Sequence, residues 1–156
     1  MPGKDKIFSH ADDDLRLKNL ATVKKYMAMH GSRLHRHKLF TEDCTSGLAY
    51  SETGGPIYVT GIANVAKMDE WNTRCFPDWK WSNVKIFQTQ DPNYFWVECD
   101  GSGQAIFPGY PAVKHSCHFV HSFEMVDGKI KVYREFMNPV KELMDFGFKI
   151  PQLKRE

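Results

Sequence analysis

The chain lacks an excess of charge of either sign, closely spaced cysteines and any long apolar run. Each absence excludes a class of function. Over 156 residues, 21 basic side chains nearly cancel 19 acidic ones, for a net charge of +2. That is no electrostatic footprint for nucleic acid. The short basic clusters Lys24-Lys25 and Arg33 to Lys38 read as solvated helix faces. No stretch reaches the roughly 18 apolar residues that mark a membrane span. The first fourteen residues carry Asp12-Asp13-Asp14 and no apolar signal-peptide core. A cytoplasmic location is therefore expected.

Cys44, Cys75, Cys99 and Cys117 form no CxxC pair, so zinc ligation is not expected. They read as free thiols packed like small apolar residues. The chain has no GxSxG nucleophile motif. Gly101-Ser102-Gly103 falls between two expected strands with no helix behind it, so it reads as a turn and not a phosphate loop. His115, His118 and His121 are spaced by three, but their setting is strand-like. Alternation puts His118 opposite the other two, and His115 to His121 spans roughly 20 Å. No metal site is expected from them.

What the chain does have is length for one domain and an aromatic content of 13%, enough for an aromatic-lined core or ligand cavity. Residues 1–11 read as a flexible N-terminal tail, and 12–156 as a single domain. Near-helical spacing predicts a helix from Asp12 to about Met29, a short second helix from Ser32 to about Leu39, and a third from Ile62 to Phe76, stopped by Pro77. Ser46 to Ser51 and Ile57 to Thr60 read as extended. Strands follow over Trp79–Gln90, Tyr94–Asp100, Gln104–Tyr110, Ser116–Val126 and Lys129–Met137, with a hairpin at Asp127-Gly128. Asn138-Pro139 opens a last helix to about Phe146, ended by Gly147. The order predicts an α+β fold: N-terminal helices packed into a strongly curved, mainly antiparallel sheet with a cone-shaped cavity. The outer face of that sheet needs a cover, which suggests a dimer.

Two charged residues stand out. In Tyr133-Arg134-Glu135-Phe136-Met137, alternation groups Tyr133, Glu135 and Met137 on one face. A carboxyl in an apolar pocket has a raised pKa and can serve as a general acid. With the register reversed, Glu135 faces water or an ion pair instead. Arg36 lies on the short second helix, where Leu34 and Leu39 must pack inward. Its guanidinium can grip a carboxylate from inside a cavity, or point to solvent.

Several longer motifs occur in order: Arg33-Leu34-His35-Arg36-His37, Trp71 with Cys75-Phe76-Pro77-Asp78-Trp79, Gln88 to Cys99, Phe107-Pro108-Gly109-Tyr110-Pro111, His118 to Phe123, Arg134 to Asn138, and Pro151-Gln152 with Lys154-Arg155. Together they resemble the phenazine-biosynthesis PhzA/PhzB family over nearly everything after residue 12. The resemblance implies a SnoaL-like, nuclear-transport-factor-like cone, related to that of ketosteroid isomerase, and a dimer. It also implies phenazine biosynthesis without a cofactor: two molecules of an amino-oxo-cyclohexene carboxylate condense by imine formation to a tricyclic phenazine-1,6-dicarboxylate precursor. In that pattern Glu135 is the acid/base group and Arg36 holds a substrate carboxylate. The family's catalytic histidine, three residues before the third helix's Trp, falls on Met68. The small polar residue after that Trp falls on Asn72, and a ligand-reaching tyrosine on His115. Met68 cannot transfer protons. The chain thus resembles the family copy that lacks the histidine. Two readings follow: a condensing enzyme leaning on Glu135, or a weakly active or non-catalytic ligand-binding subunit paired with an active paralogue. The partners implied are a small cyclic aminoketone carboxylate and a second chain, identical or closely related.

Overall fold

The computed structural model describes residues 10–156, and the elements below are those of the described residues. Most of the expected tail lies outside them, and His10 and Ala11 already belong to the first helix. The order is α1 (His10–Ala28), a one-turn 3₁₀ helix (Arg36–Leu39), β1 (Phe40–Leu48), β2 (Ile57–Thr60) and α2 (Ile62–Cys75). Then come β3 (Lys80–Gln88), β4 (Tyr94–Ala105), β5 (Val113–Val126), β6 (Lys129–Phe136) and α3 (Pro139–Asp145). The fold is α+β. The six strands form one sheet in the order β2-β1-β6-β5-β4-β3.

The sheet is mixed, with one parallel pair. Strand β1 runs parallel to β6, while the other neighbours are antiparallel. The sequence pattern placed the first strand at Ser46 and missed its first half. The reason is visible in β1 itself, where Glu42 and Asp43 are exposed and interrupt the alternation. The expected second helix shrinks to the single 3₁₀ turn, and β1 follows it immediately.

A second difference concerns Gly101-Ser102-Gly103, which is not a turn. β4 runs unbroken to Ala105, with Gly101 opposite both Trp81 and Cys117 and Gly103 opposite His115. Ring packing explains the glycine. A Cβ on Gly101 would stand 2.4 Å from Trp79 Cζ2 and 2.8 Å from Phe119 Cε2. The expected strand Gln104–Tyr110 ends at Ala105, before Pro108 and Pro111, which cannot donate to a ladder.

Helix α1 fills the concave face of the sheet. Its Val23, Tyr26 and Met27 join Phe95, Val97, Phe123, Ile130 and Tyr133 in one buried core. Asn19 pins the helix to two strand turns: Nδ2 donates to Pro92 O at 2.9 Å, and Oδ1 accepts from Gly128 N at 2.8 Å. The Asp127-Gly128 hairpin has φ of 46° and 82°, the positive values that its tight turn demands. At the other end α3 starts on an Asn138 cap, where Oδ1 accepts from Lys141 N at 3.1 Å. It is tied to β5 through Asp145, which accepts from Ser116 N at 3.3 Å. Helices α2 and α3 thus stand over the concave face and leave a cavity between them and the sheet.

All four cysteines are free and buried. Among the described residues no helix is long and apolar enough to cross a membrane.

Candidate active site

The cavity has a volume of about 750 Å³. Strand β6 supplies its floor. Alternation aims Tyr133, Glu135 and Met137 into it, while Arg134 turns outward to Glu124 at 2.9 Å. All five sequence-derived candidates line this one cavity: Glu135, Arg36, Met68, Asn72 and His115. Sequence spacing alone gave no reason to bring His115 there.

Glu135 has no ion-pair partner at contact distance among the described residues. Its nearest polar neighbour is Tyr133 Oη, 3.5 Å from Oε1. Burial raises the carboxyl above the ordinary glutamate range, against the opposing pull of Arg36 and Arg33.

Arg36 is buried, so it does not face solvent. It is also not free. Its Nε and Nη2 both donate to Asp69 Oδ1, at 3.0 and 2.8 Å, and its guanidinium lies 4.6 Å from the centre of the Tyr26 ring. Asp69 comes from α2 and is fully buried. Burial lifts the Asp69 carboxyl while Arg36 draws it back. Arg36 stays a cation, because Tyr26 and Asp69 offset its desolvation. Among the described residues Arg36 Nη1 has no hydrogen bond, and Nη2 keeps a second N–H.

Arg33 was not singled out from the sequence. Its Nη2 donates to Asn72 O and Phe76 O at 3.1 and 2.9 Å, clamping the end of α2. Burial and the neighbouring Arg36 push its pKa down to about 10. On the far wall His115 donates from Nδ1 to Asp145 Oδ2 at 2.8 Å and stacks on Trp79 at 5.7 Å. That bond fixes its tautomer and leaves Nε2 for the cavity. Met68 and Asn72 lie one turn apart on α2.

Sequence reasoning also missed Glu142 of α3 and Glu52 of the β1–β2 loop, both on the cavity lining. Glu142 stands seven residues beyond Glu135, and only the fold of α3 over β5 brings the two near. Burial, then Glu52 and Glu135, push the Glu142 carboxyl up to about 7. Among the described residues no group of histidine, cysteine and carboxylate side chains is arranged to hold a metal. His118 points away from His115 and His121, to Asp100 and Glu98 on the outer face.

The Glu142 shift has a consequence for stability. Its pKa is higher folded than unfolded, so between about pH 4.5 and 7 the folded chain binds more protons. Stability therefore falls as pH rises through that window. Thermal melts from pH 5 to 8 should show the wild type losing ground to Glu142→Gln. Parallel melting curves would mean that Glu142 is effectively solvated.

Comparison with known proteins places this geometry. The phenazine biosynthesis protein A/B family matches residues 4–156. Phenazine biosynthesis protein PhzB of Pseudomonas fluorescens is 53% identical over 146 residues, covering 93% of this chain and 90% of its own. The crystal structure of the phenazine biosynthesis-related protein PhzB2 of Pseudomonas aeruginosa superposes with a TM-score of 0.91 at 51% identity, covering 94% of this chain and 96% of that one. An NTF2-like protein from Anabaena variabilis, 17% identical, gives a TM-score of 0.57 over 87% of this chain and 96% of its own, a likeness of fold alone. The curved α+β cone and its ordered motifs are those of one family: the chain belongs to the phenazine biosynthesis protein A/B family and has a role in phenazine biosynthesis.

Proposed function

We propose that the cavity condenses two molecules of an amino-oxo-cyclohexene carboxylate, with Glu135 as the general acid. The observation carrying this reading is one half-buried carboxyl without an ion pair and with a raised pKa, facing an aromatic-walled cavity beside two arginines. The amine of one molecule attacks the ketone of the other and forms a carbinolamine. Glu135 protonates the departing hydroxyl, water leaves, and the nitrogen returns its proton to the Glu135 carboxylate as the C=N bond forms. A second such step closes the central ring, so two waters depart in all. Holding both reactants in one closed site supplies a large effective concentration. Arg36, through the donors that Asp69 does not use, holds a substrate carboxylate. Asn72 and His115 bound the same space. The chemistry calls for no cofactor.

Met68 favours a second reading. The family pattern has a proton-transferring histidine where this chain has a thioether on the cavity wall. On that reading the chain binds ligand and serves as a slow or inactive half of a heterodimer.

The proposal includes a dimer. The outer sheet face carries Phe87 and Trp96, 48% and 37% exposed, with Trp96 packed on Phe136 at 5.9 Å and Phe136 on Tyr50 at 5.8 Å. A contiguous aromatic patch of this kind is what a monomer rarely leaves in water. A second copy of this chain is the proposed cover. Sedimentation equilibrium should give twice the chain mass, and Trp96→Glu should give the monomer. A monomeric wild type that pairs only when a paralogue is added would replace the homodimer with a heterodimer.

Two substitutions test the chemistry on the isolated chain, with freshly generated aminoketone and single-turnover conditions. Glu135→Gln should lower the condensation rate by about 10²- to 10⁴-fold, the usual contribution of a general acid, with the fold intact. An undiminished rate would remove Glu135 from the mechanism. Met68→His should raise the rate. No gain in a variant that still binds ligand would make Met68 a packing residue, and the inactive-subunit reading would lose its main support.

A further inference from the structure

His121 is the buried titratable group that this chemistry leaves unused. It lies on β5, fully buried, with its ring stacked on Tyr133 at 5.6 Å and on Phe119 at 5.9 Å. Its Nδ1 stands 2.6 Å from Tyr133 Oη, and its Nε2 3.3 Å from Cys99 Sγ. Tyr133 Oη stands 3.5 Å from Glu135 Oε1. Three contacts therefore join Cys99, His121 and Tyr133 to Glu135.

The phenol has one proton and three partners within reach: His121 Nδ1, Glu135 Oε1 and the Tyr26 hydroxyl. A separation of 2.6 Å is that of a strong hydrogen bond, whereas 3.5 Å is its outer limit. Burial, and then the charge on Arg36, hold His121 neutral by pushing its pKa down to about 3. A neutral imidazole has one bare nitrogen, and that nitrogen is a good acceptor. With Nδ1 accepting from Tyr133, the imidazole proton sits on Nε2 and points at the Cys99 sulfur. Burial pushes the Cys99 thiol up to about 12, so no thiolate competes for that proton. The Tyr133 oxygen then shows only lone pairs to Glu135. A protonated carboxyl can donate to them, and an ionised one cannot.

We propose that His121 is a positioning residue for the acid: by taking the single proton of Tyr133, it denies the Glu135 carboxylate a donor and keeps that carboxyl protonated. The inference rests on Glu135 being the acid of the proposed reaction. Other groups face Glu135 as well. Arg33 and Arg36 come from the segment before β1, and Tyr26 from α1. Cys99, Cys117 and Glu142 come from β4, β5 and α3. Glu52 and His115 line the same cavity. The substitutions below leave all of these except His121 and Tyr133 in place.

The test is the titration of Glu135 in the full chain. It is followed by carbon-13 NMR of side-chain-labelled glutamate, with the resonance assigned by its loss in Glu135→Gln. This separates Glu135 from Glu142, whose carboxyl is also pushed up. His121→Phe keeps a ring in the stack and frees the Tyr133 hydroxyl to turn toward Glu135. The Glu135 midpoint should then fall by about one to two pH units, the worth of one hydrogen bond to a charged group. His121→Asn should keep the wild-type midpoint, because its amide oxygen can take the same proton. Tyr133→Phe should leave the midpoint unchanged or slightly lower. The double variant, His121→Phe with Tyr133→Phe, should undo the fall. A midpoint unmoved in His121→Phe, or raised in Tyr133→Phe, overturns the inference. Should His121→Phe not fold, Tyr133→Phe decides between the same outcomes. The titration reads the proton whether or not Glu135 catalyses. An unaltered rate in Glu135→Gln would therefore defeat the proposed reaction without deciding the role of His121.

Discussion

The buried ion pair between Arg36 and Asp69 is the interaction on which the rest of the site depends. Removing two charges from water is expensive, and a pair is tolerated only where geometry and further contacts offset that cost. Here Asp69 Oδ1 receives two donors from one guanidinium, and the face of Tyr26 lies beneath it. Three pieces of chain distant in sequence meet at that point: α1 through Tyr26, the 3₁₀ turn through Arg36, and α2 through Asp69. Nearby Arg33 clamps the last turn of α2. The pair thus fixes where α2 stands, and with it where Met68 and Asn72 line the cavity.

The same pair bears on how Glu135 keeps a raised pKa beside two arginines. Free guanidinium groups at contact distance would hold Glu135 ionised. Asp69 takes one N–H each from Nε and Nη2 of Arg36, and the carbonyls of Asn72 and Phe76 take Arg33 Nη2, while Arg33 Nε has no partner among the described residues. Their charge still reaches Glu135 through space, but no guanidinium hydrogen bond does. Burial then dominates, and it pushes in the direction that general-acid chemistry needs. Glu142 and Glu52 add negative potential on the opposite side. The cavity is apolar in its walls, with cations and carboxyls both on its lining.

How far the sequence foretold this depends on whether a feature is local. The inward face of β6 was legible because Tyr133, Glu135 and Met137 alternate, and the hairpin before it because Asp127-Gly128 carries its own turn chemistry. Strand β1 was half hidden, since Glu42 and Asp43 interrupt its pattern and its partner β6 lies more than eighty residues away. The glycines of β4 looked like a turn because their reason lies in distant rings, Trp79 just before β3 and Phe119 on β5. Within the site, Arg36 and Glu135 were legible as single residues. Their surroundings were not: Asp69, Arg33, Glu142 and His121 acquire meaning only when four elements converge. The resemblance to a known family picked out Met68, Asn72 and His115, which no local pattern marks.

Strand β5 shows how one element serves two environments. His115, Cys117, Phe119 and His121 face inward, and His118 faces outward between Asp100 and Glu98. The inward histidines are neither solvated nor gathered around a metal. Each gives one nitrogen to a fixed partner, Asp145 or Tyr133, and the two bracket the floor that holds Glu135. With a thioether at position 68 on α2, the carboxyl and imidazole groups of the lining come from elsewhere: Glu135 on β6, His115 on β5, Glu142 on α3 and Glu52 on the β1–β2 loop. Helix α2 is left to shape the opening and to hold Arg36 in place. That division puts the fixing of the buried cation on α2, through Asp69, and leaves the raised carboxyls of Glu135 and Glu142 on elements that come later in the chain.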